Sequence, residues 1–333
     1  MSISLLFPFF FYSLWDWTFL PDQNKYASII YQVRNLNFNE INLSYSSLLK
    51  VHLSSILMAL FPIPFVNTIV SVSLINRSLL SLIILFFIKN KKLSLSLILI
   101  LLFSPSIIVI SSVALRDTIT LIFALMFVYY FFNKINYIKS LIFLILLILT
   151  KLHLALFILF ISFLYYLLFY LKKNLLFKII VISLFLPIFF YYSDEIVLKI
   201  SNIRYGFENE EFIYKTYFVL GVEENTLKFS IILYNFLNFF YSPLLTNSVN
   251  LIGIVIFIES LILFLILVMY LFKIYKNSKS KAIFIILSYI ILSILLSNIV
   301  HNSGSLWRYK LSIQIIFVFI SYFVFCKKNY KIL

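Results

Sequence analysis

Long apolar runs separated by short polar segments dominate the hydrophobic pattern of the chain. Ten of them are nearly uninterrupted, at residues 3–14, 68–88, 93–112, 118–132, 139–150, 153–171, 174–192, 250–272, 282–300 and 310–326. About 20 apolar residues in a helix cross a bilayer. The pattern therefore predicts about ten transmembrane helices. The runs at 3–14, 118–132 and 139–150 are short and need a locally thinner bilayer or burial against neighbouring helices.

Two further stretches, residues 47–66 and 229–247, mix apolar and polar residues. Pro62 and Pro64 end the first, and Pro243 interrupts the second. We predict that both are re-entrant or interfacial helices on the outer side of the membrane. If either crossed the membrane, the lysine-rich loops would no longer all lie on one side.

The composition supports a membrane protein, because 63% of the residues are hydrophobic and only 12% are charged. A soluble domain carries about 25% charged residues. The single cysteine, Cys326, excludes a disulfide framework, and the three histidines lack the spacing of metal ligands. The sequence thus predicts an all-α, polytopic integral membrane protein that forms a single domain over residues 1–333, with no metal and no cofactor.

Lysine-rich loops predict the orientation in the membrane. Five clusters hold basic residues and no acidic residue: Lys89, Lys91 and Lys92; Lys134 and Lys139; Lys172, Lys173 and Lys178; Lys273, Lys276, Lys279 and Lys281; and Lys327, Lys328 and Lys331. Basic loops stay in the cytoplasm, which predicts cytoplasmic termini and outer loops at 15–46, 193–228 and 301–310. These 15 lysines equal the net charge of +15. The charge therefore encodes topology and does not indicate a nucleic-acid partner.

Arginine is rare and is absent from those five clusters. The chain has five arginines, Arg34, Arg77, Arg116, Arg204 and Arg308. The planar guanidinium group binds phosphate and carboxylate oxygens with two parallel hydrogen bonds and stays charged, which lysine cannot match. This distribution predicts that an anionic, oxygen-rich ligand is bound on the outer side. For Arg34 and Arg204, whose loops also contain acidic residues, pairing with those acids is the alternative.

Arg116 and Arg77 lie within or at the edge of apolar runs. Arg116 stands in SSVALRDTIT at the predicted outer mouth between two spans, directly before Asp117, and Arg77 lies near mid-membrane beside Asn76. An ionisable residue at such a depth is costly unless it is paired or lines a wet cavity. An Arg116–Asp117 pair is one alternative, although adjacent residues on a helix do not face each other. We predict that both arginines contact the anionic ligand.

Two more polar clusters are predicted at the same outer level. In TKLHLAL, Lys151 and His153 lie at the outer end of a tight hairpin, where His153 is suited to accept a proton near neutral pH. The second cluster, HNSGSLWRYK at residues 301–310, is predicted to be a loop that turns sharply at Gly304. It offers hydrogen-bond donors and aromatic rings for a sugar: His301, Asn302, Trp307, Arg308, Tyr309 and Lys310.

The order of these motifs resembles a known family. PDQNKY lies near the start, SP, LRD and KLH follow within residues 104–165, and NSGSLWRY lies near the end. Together they resemble the EpsG/Wzy-like bacterial polysaccharide polymerases. The likeness covers most of the chain, through motifs of two to six residues. Asp117 stands where many relatives have glutamine, and Ser305 where threonine is common.

The resemblance implies an enzyme of the bacterial inner membrane. Such enzymes join oligosaccharide repeat units carried on polyprenyl diphosphate at the outer face of the membrane. The expected partners are this lipid-linked substrate, membrane lipid, and a chain-length regulator and flippase of the same pathway. Arg116, Arg308, Lys310 and Lys151 would stabilise the leaving diphosphate. His153, or else Asp117, would accept the proton of the attacking hydroxyl.

Two other functions remain as alternatives. A GT-C-type glycosyltransferase that uses polyprenyl-phosphate sugars would place a catalytic acid in the first outer loop, where Asp16 and Asp22 lie. A flippase for lipid-linked sugars would show inverted repeats and polar residues at both membrane levels. Here polar residues concentrate on the predicted outer side, and no repeat is visible.

Overall fold

The computed structural model describes residues 22–37, 48–61, 69–90, 93–170, 236–237, 239–240, 251–299 and 303–329. Within these ranges all regular structure is helical, and no strand occurs. The predicted crossings at 3–14 and 174–192 and the loop 193–228 lie outside the described residues, as do His301 and Asn302. Of the mixed stretch 229–247, four residues are described.

The chain divides into two compact units, residues 1–158 and 159–333. The first unit contains α1 (Asp22–Arg34), α2 (Leu48–Ala59), α3 (Ile69–Lys89), α4 (Leu95–Phe103), α5 (Pro105–Ser111), α6 (Asp117–Val128) and α7 (Tyr137–Thr150). The boundary between the units falls within α8 (Leu152–Phe169). The second unit contains α9 (Leu251–Asn277), α10 (Lys279–Ile299) and α11 (Ser303–Asn329).

Five of the described helices are long and apolar enough to cross a membrane. They are α3 and α8 over their full lengths, Ile254–Asn277 of α9, Lys279–Ser297 of α10 and Trp307–Cys326 of α11. Helix α7 is apolar but shorter. The predicted all-helical character is therefore confirmed for the described residues, and the five apolar helices are compatible with the predicted multi-pass membrane protein. The number of ten crossings and the cytoplasmic position of the termini stay predictions.

The apolar run at 93–112 is two helices, where the sequence pattern predicts one. The break lies at Ser104 and Pro105. Proline has no backbone N–H and clashes with the preceding turn, so it begins a helix more readily than it continues one. The Ser104 hydroxyl accepts a hydrogen bond from the Ile107 N–H at 3.3 Å and caps α5.

Helices α3 and α6 run parallel, and α7 returns antiparallel to α6. Near the start of α3, Asn76 contacts the segment before α6, and near its end the Phe87 ring lies 5.5 Å from the Tyr129 ring. Tyr129 belongs to a π-helical turn, Tyr129–Lys134, that extends α6. The Lys139 ammonium lies 5.5 Å from the centre of the Tyr130 ring. Lys89, Lys134 and Lys139 consequently lie at one end of the first unit.

A tight turn joins this π-helical extension to α7. Ile135 adopts a left-handed conformation with φ of 50°, and the Asn136 N–H bonds to the Tyr130 carbonyl at 2.9 Å, which closes the preceding helix. The Asn136 side chain then accepts a hydrogen bond from the Lys139 N–H at 3.1 Å and caps α7. This turn folds α6 and α7 into an antiparallel hairpin. The hairpin predicted around Lys151 and His153 would join α7 to α8, and there a single residue, Lys151, separates the two helices.

In the second unit, α9 and α11 run parallel, with α10 between them in sequence. The Gln314 amide nitrogen on α11 donates to the Ser260 hydroxyl and carbonyl of α9 at 2.9 and 3.2 Å. Further along both helices the Tyr270 and Tyr322 rings lie 5.6 Å apart. Because the two contacts occur in the same order, the helix directions agree.

The predicted loop at 301–310 is helical from Ser303 onward. The expected sharp turn at Gly304 is therefore wrong, since Gly304 lies in the first turn of α11. A helix satisfies its own backbone hydrogen bonds, which favours starting it before the chain enters apolar surroundings. Residues Trp307 to Lys310 thus project from a helix, with their spacing fixed by the helical repeat.

Candidate functional site

A short non-helical segment, residues 112–116, joins α5 to α6 in the first unit. Side chains from earlier helices satisfy its backbone. The fully buried Asn76 of α3 donates to the carbonyls of Val113 and Leu115 at 2.8 and 2.7 Å. The Gln23 side chain of α1 accepts a hydrogen bond from the Ala114 N–H at 3.1 Å. In a membrane, irregular backbone persists only where such partners exist.

Apolar contacts enclose the same segment. Ala114 packs in a buried cluster with residues of α1, α2, α3 and α6, namely Ile30, Met58, Val72 and Ile119. On either side of Ala114, Val113 and Leu115 pack with Tyr26 of α1. The segment is therefore held by both packing and hydrogen bonds, which positions Arg116 at its end.

Asp117 and Lys151 form a buried ion pair. The Lys151 ammonium donates to the Asp117 carboxylate at 3.1 Å, and the two side chains are 4% and 10% exposed. The sequence alternative of an Arg116–Asp117 pair gives way to this contact, because helix geometry turns adjacent side chains apart while the α6–α7 hairpin brings Lys151 alongside. Two residues predicted for different roles are thus bonded to each other.

Arg116 lies half-buried at the junction before α6. Its carbonyl accepts a hydrogen bond from the Thr120 hydroxyl at 2.9 Å. Its Nη1 atom is buried and has no hydrogen-bond partner among the described residues. The Asn76 Oδ1 and Ser112 Oγ atoms of the same neighbourhood are also buried without such a partner. Buried polar atoms normally have partners, so the three atoms leave hydrogen-bonding capacity for a ligand or ordered water.

His153 lies in the first turn of α8, two residues after Lys151. Its Nε2 atom is buried and makes no hydrogen bond with the described residues, although His153 takes part in another interaction. The α7–α8 junction therefore brings His153 to the same end of the first unit as the Asp117–Lys151 pair. Lys151 thus meets Asp117, the neighbour of Arg116, and His153 follows two residues later, while a common membrane level of the three residues stays a prediction.

Arg77 is 1% exposed and donates from Nη1 to the Ser111 hydroxyl at 2.7 Å. The guanidinium group thus points to the end of α5, and the protein closes it off from the surface. Gln23 and Ser111 stand inside the quoted motifs PDQNKY and SSVALRDTIT, but the sequence pattern assigns neither a role, and it marks Asn76 only as a neighbour of Arg77. Their importance comes from partners 91, 34 and 37 residues away.

The second unit holds the remaining predicted residues. Trp307 is buried, Arg308 and Tyr309 are half-buried, and Lys310 is 2% exposed. The Lys310 ammonium donates to the Phe240 carbonyl. The predicted convergence of Arg116 and Arg308 stays a prediction. Among the described residues no group of three histidine, cysteine or acidic side chains could hold a metal ion.

No family model, curated protein or solved structure matches the chain. The resemblance to the EpsG/Wzy-like polymerases rests on the motifs quoted above.

Proposed function

We propose that the protein is a membrane glycosyltransferase that polymerises oligosaccharide repeat units carried on polyprenyl diphosphate. We place it in the bacterial inner membrane, with the reaction at the outer face. One observation carries the proposal. The buried Nη1 atom of Arg116 has no hydrogen-bond partner in the described part of the chain, and it lies next to an ion pair, at the end of a segment fixed by buried hydrogen bonds.

A diphosphate suits this arrangement because its oxygens accept the parallel hydrogen bonds that a guanidinium group offers. In the reaction, the acceptor hydroxyl oxygen bonds to the anomeric carbon of the donor sugar. The bond from that carbon to the diphosphate oxygen breaks, and the polyprenyl diphosphate leaves with the electron pair. Arg116 stabilises the charge that develops on this oxygen, and its fixed position avoids the cost of ordering it during the reaction.

We assign the acceptor's proton to His153. A neutral imidazole can take a proton near neutral pH. Asp117 is the less suitable acceptor, because its carboxylate is already bonded to the Lys151 ammonium and protonation would disrupt that pair. In this proposal Lys151 adds positive charge near the diphosphate, while Asp117 orients Lys151.

The remaining predicted residues divide into two groups in this proposal. Arg77 positions the end of α5 through its hydrogen bond to Ser111. For Arg308 and Lys310 on α11 we keep the predicted role of stabilising the leaving diphosphate. Trp307 and Tyr309 are proposed to face sugar rings, and His301 and Asn302 to donate or accept further hydrogen bonds from the substrate. The expected protein partners are a chain-length regulator and a flippase that act in the same polysaccharide pathway.

The test compares Arg116→Lys with Arg34→Lys in the full chain reconstituted in vesicles. The substrate is the polyprenyl-diphosphate oligosaccharide extracted from the producing cells, and the readout is the glycan ladder on a gel. Lysine keeps the positive charge but lacks the planar guanidinium group that donates two parallel hydrogen bonds. We expect Arg116→Lys to lower polymer formation about 100-fold or more, as for loss of one transition-state donor.

Arg34→Lys is the matched control, because Arg34 bonds to the carbonyls of Ala59 and Phe61 at the end of α2 and has no role in the proposed chemistry. We expect this variant to polymerise like the unsubstituted chain. Full ladders from Arg116→Lys would reject the assigned role. Movement of the lipid-linked units across the membrane without polymer would favour a flippase instead.

A further inference from the structure

Four lysines lie close together where α9 ends and α10 begins. We call residues 273–281 the basic hairpin. Each lysine ammonium lies over an aromatic ring. The contacts join Lys273 to Tyr270 and Phe325 at 5.5 and 5.7 Å, Lys276 to Phe272 at 4.7 Å, Lys279 to Tyr275 at 5.7 Å, and Lys281 to Phe169 at 5.8 Å from the ring centre. The rings belong to α8, α9 and α11. The four lysines of the hairpin therefore contact the ends of three helices.

The described part of the second unit offers these lysines no nearby carboxylate. Its one acidic residue among the described positions is Glu259, 14 residues before Lys273 on α9. At 1.5 Å per residue that separation is about 21 Å. Lys273, Lys276 and Lys279 are exposed and form no ion pair with the described residues. Lys273, Lys276 and Lys279 therefore present positive charge that this part of the chain does not neutralise.

The hairpin also lies between the ends of two candidate membrane spans. One candidate span ends at Asn277 and the next begins at Lys279. Phe272 and Tyr275 are 59% and 43% exposed, and aromatic side chains of this kind concentrate at the boundary between lipid tails and headgroups. Contact with the rings holds each ammonium at that boundary, where the phosphates of lipids lie.

We infer that the basic hairpin is a binding site for an anionic phospholipid whose headgroup carries two phosphates. Basic clusters between helix ends attract such headgroups. A lipid with two linked phosphates neutralises two ammonium groups while only one molecule is immobilised. It should therefore bind with higher affinity than two separate lipids that carry one phosphate each. This inference does not depend on the proposed polymerase activity.

The test measures lipid binding to the purified full chain by native mass spectrometry. The probes are diphosphatidylglycerol, phosphatidylglycerol and phosphatidylcholine. The informative variant is K276Q/K279Q, and K276R/K279R is the matched control because it keeps both charges. At about 1 kcal/mol per lysine, or about fivefold in affinity, we expect about 25-fold weaker diphosphatidylglycerol binding for K276Q/K279Q. The arginine control should change affinity by less than about threefold.

Three outcomes would overturn the inference. One is unchanged diphosphatidylglycerol binding in K276Q/K279Q, and another is equally weak binding in the arginine control. The third is phosphatidylglycerol binding as tight as that of diphosphatidylglycerol at equal phosphate concentration. Thermal unfolding of each variant in the same detergent verifies that the variant is folded.

Tyr275→Leu gives a second measurement. This substitution removes one ring and keeps all four lysines, and it should also weaken diphosphatidylglycerol binding.

Discussion

The side chains of Asp117 and Lys151 show how the first unit holds charge in apolar surroundings. They lie 34 residues apart in sequence and meet across the α6–α7 hairpin at 3.1 Å. A buried pair costs desolvation energy when it forms, and removal of one partner leaves the other charge uncompensated. The pair is therefore sensitive to single substitutions and more tolerant of paired ones.

We expect Lys151→Met to lower the free energy of unfolding by about 3–5 kcal/mol, because the Asp117 carboxylate would stay buried without its ammonium partner. Asp117→Leu combined with Lys151→Met should cost clearly less than the sum of the two single substitutions. Unfolding in mixed detergent micelles measures all three variants. Additive costs would mean that the two side chains do not stabilise each other.

Asn76 permits a second prediction at the same scale. Asn76→Leu removes the donor that bonds to the buried carbonyls of Val113 and Leu115. Each buried carbonyl left without a donor costs about 1–3 kcal/mol of stability. We expect a loss of at least 2 kcal/mol in the free energy of unfolding. Asn90→Leu is the control, because the exposed Asn90 side chain bonds, within the described ranges, to the Phe86 carbonyl one turn earlier. Equal effects of the two substitutions would contradict the role of Asn76.

The sequence alone predicted part of this site. It placed Arg116, Lys151 and His153 at one level, because apolar runs mark where each span ends. It could not show that Lys151, and not Arg116, faces Asp117, since that depends on the rotation of two helices about their axes. The hydrogen bond from Ala114 to Gln23 spans 91 residues, and no local pattern indicates a partner so distant.

At the scale of helices, apolar runs predicted several boundaries to within a few residues. The run at 68–88 corresponds to α3 (Ile69–Lys89), and the run at 153–171 to α8 (Leu152–Phe169). Two differences between the predicted and observed helices arise where the hydropathy of the sequence does not indicate a helix boundary. Ser104 and Pro105 interrupt a helix without interrupting the apolar run, and the polar residues from Ser303 onward join a helix whose later turns are apolar.

Ile135 provides a prediction for the turn between α6 and α7. A β-branched residue at φ of 50° is strained by about 1–2 kcal/mol, whereas glycine at that position pays about 0.5–1 kcal/mol in chain entropy. We therefore expect Ile135→Gly to raise the free energy of unfolding by up to about 1 kcal/mol. Ile138→Gly, in the first turn of α7, should lower it by about 1 kcal/mol. Thermal unfolding distinguishes the two, and destabilisation by both would contradict the strain at Ile135.

At the scale of the molecule, each unit separates its charges in a consistent way. In the first unit Lys89, Lys134 and Lys139 lie at the end opposite Arg116, because α3 and α6 run parallel and α7 returns. In the second unit the basic hairpin lies at the far end of α9 from Glu259. The positive-inside rule applied to the sequence predicts that both lysine-rich ends face the cytoplasm.

Single cysteines introduced into a Cys326→Ser background test this orientation. Asn90→Cys and Asn277→Cys lie at the lysine-rich ends of their units, whereas Asn24→Cys lies beside Gln23 at the opposite end of the first unit. We expect a membrane-impermeant maleimide added to intact cells to label Asn24→Cys and to spare the other two until the membrane is opened. Labelling of Asn90→Cys and Asn277→Cys from opposite sides would reject the common orientation.

The bonds that hold residues 112–116 also imply an order of events during synthesis. The ribosome delivers the chain from the N-terminus, so Gln23 and Asn76 are made well before Val113, Ala114 and Leu115 emerge. The irregular stretch thus enters the bilayer after both of its side-chain partners. Lys151 is made later still, so the Asp117 carboxylate has no Lys151 partner until α7 has been translated. The end of the first unit that carries Arg116 is accordingly completed last.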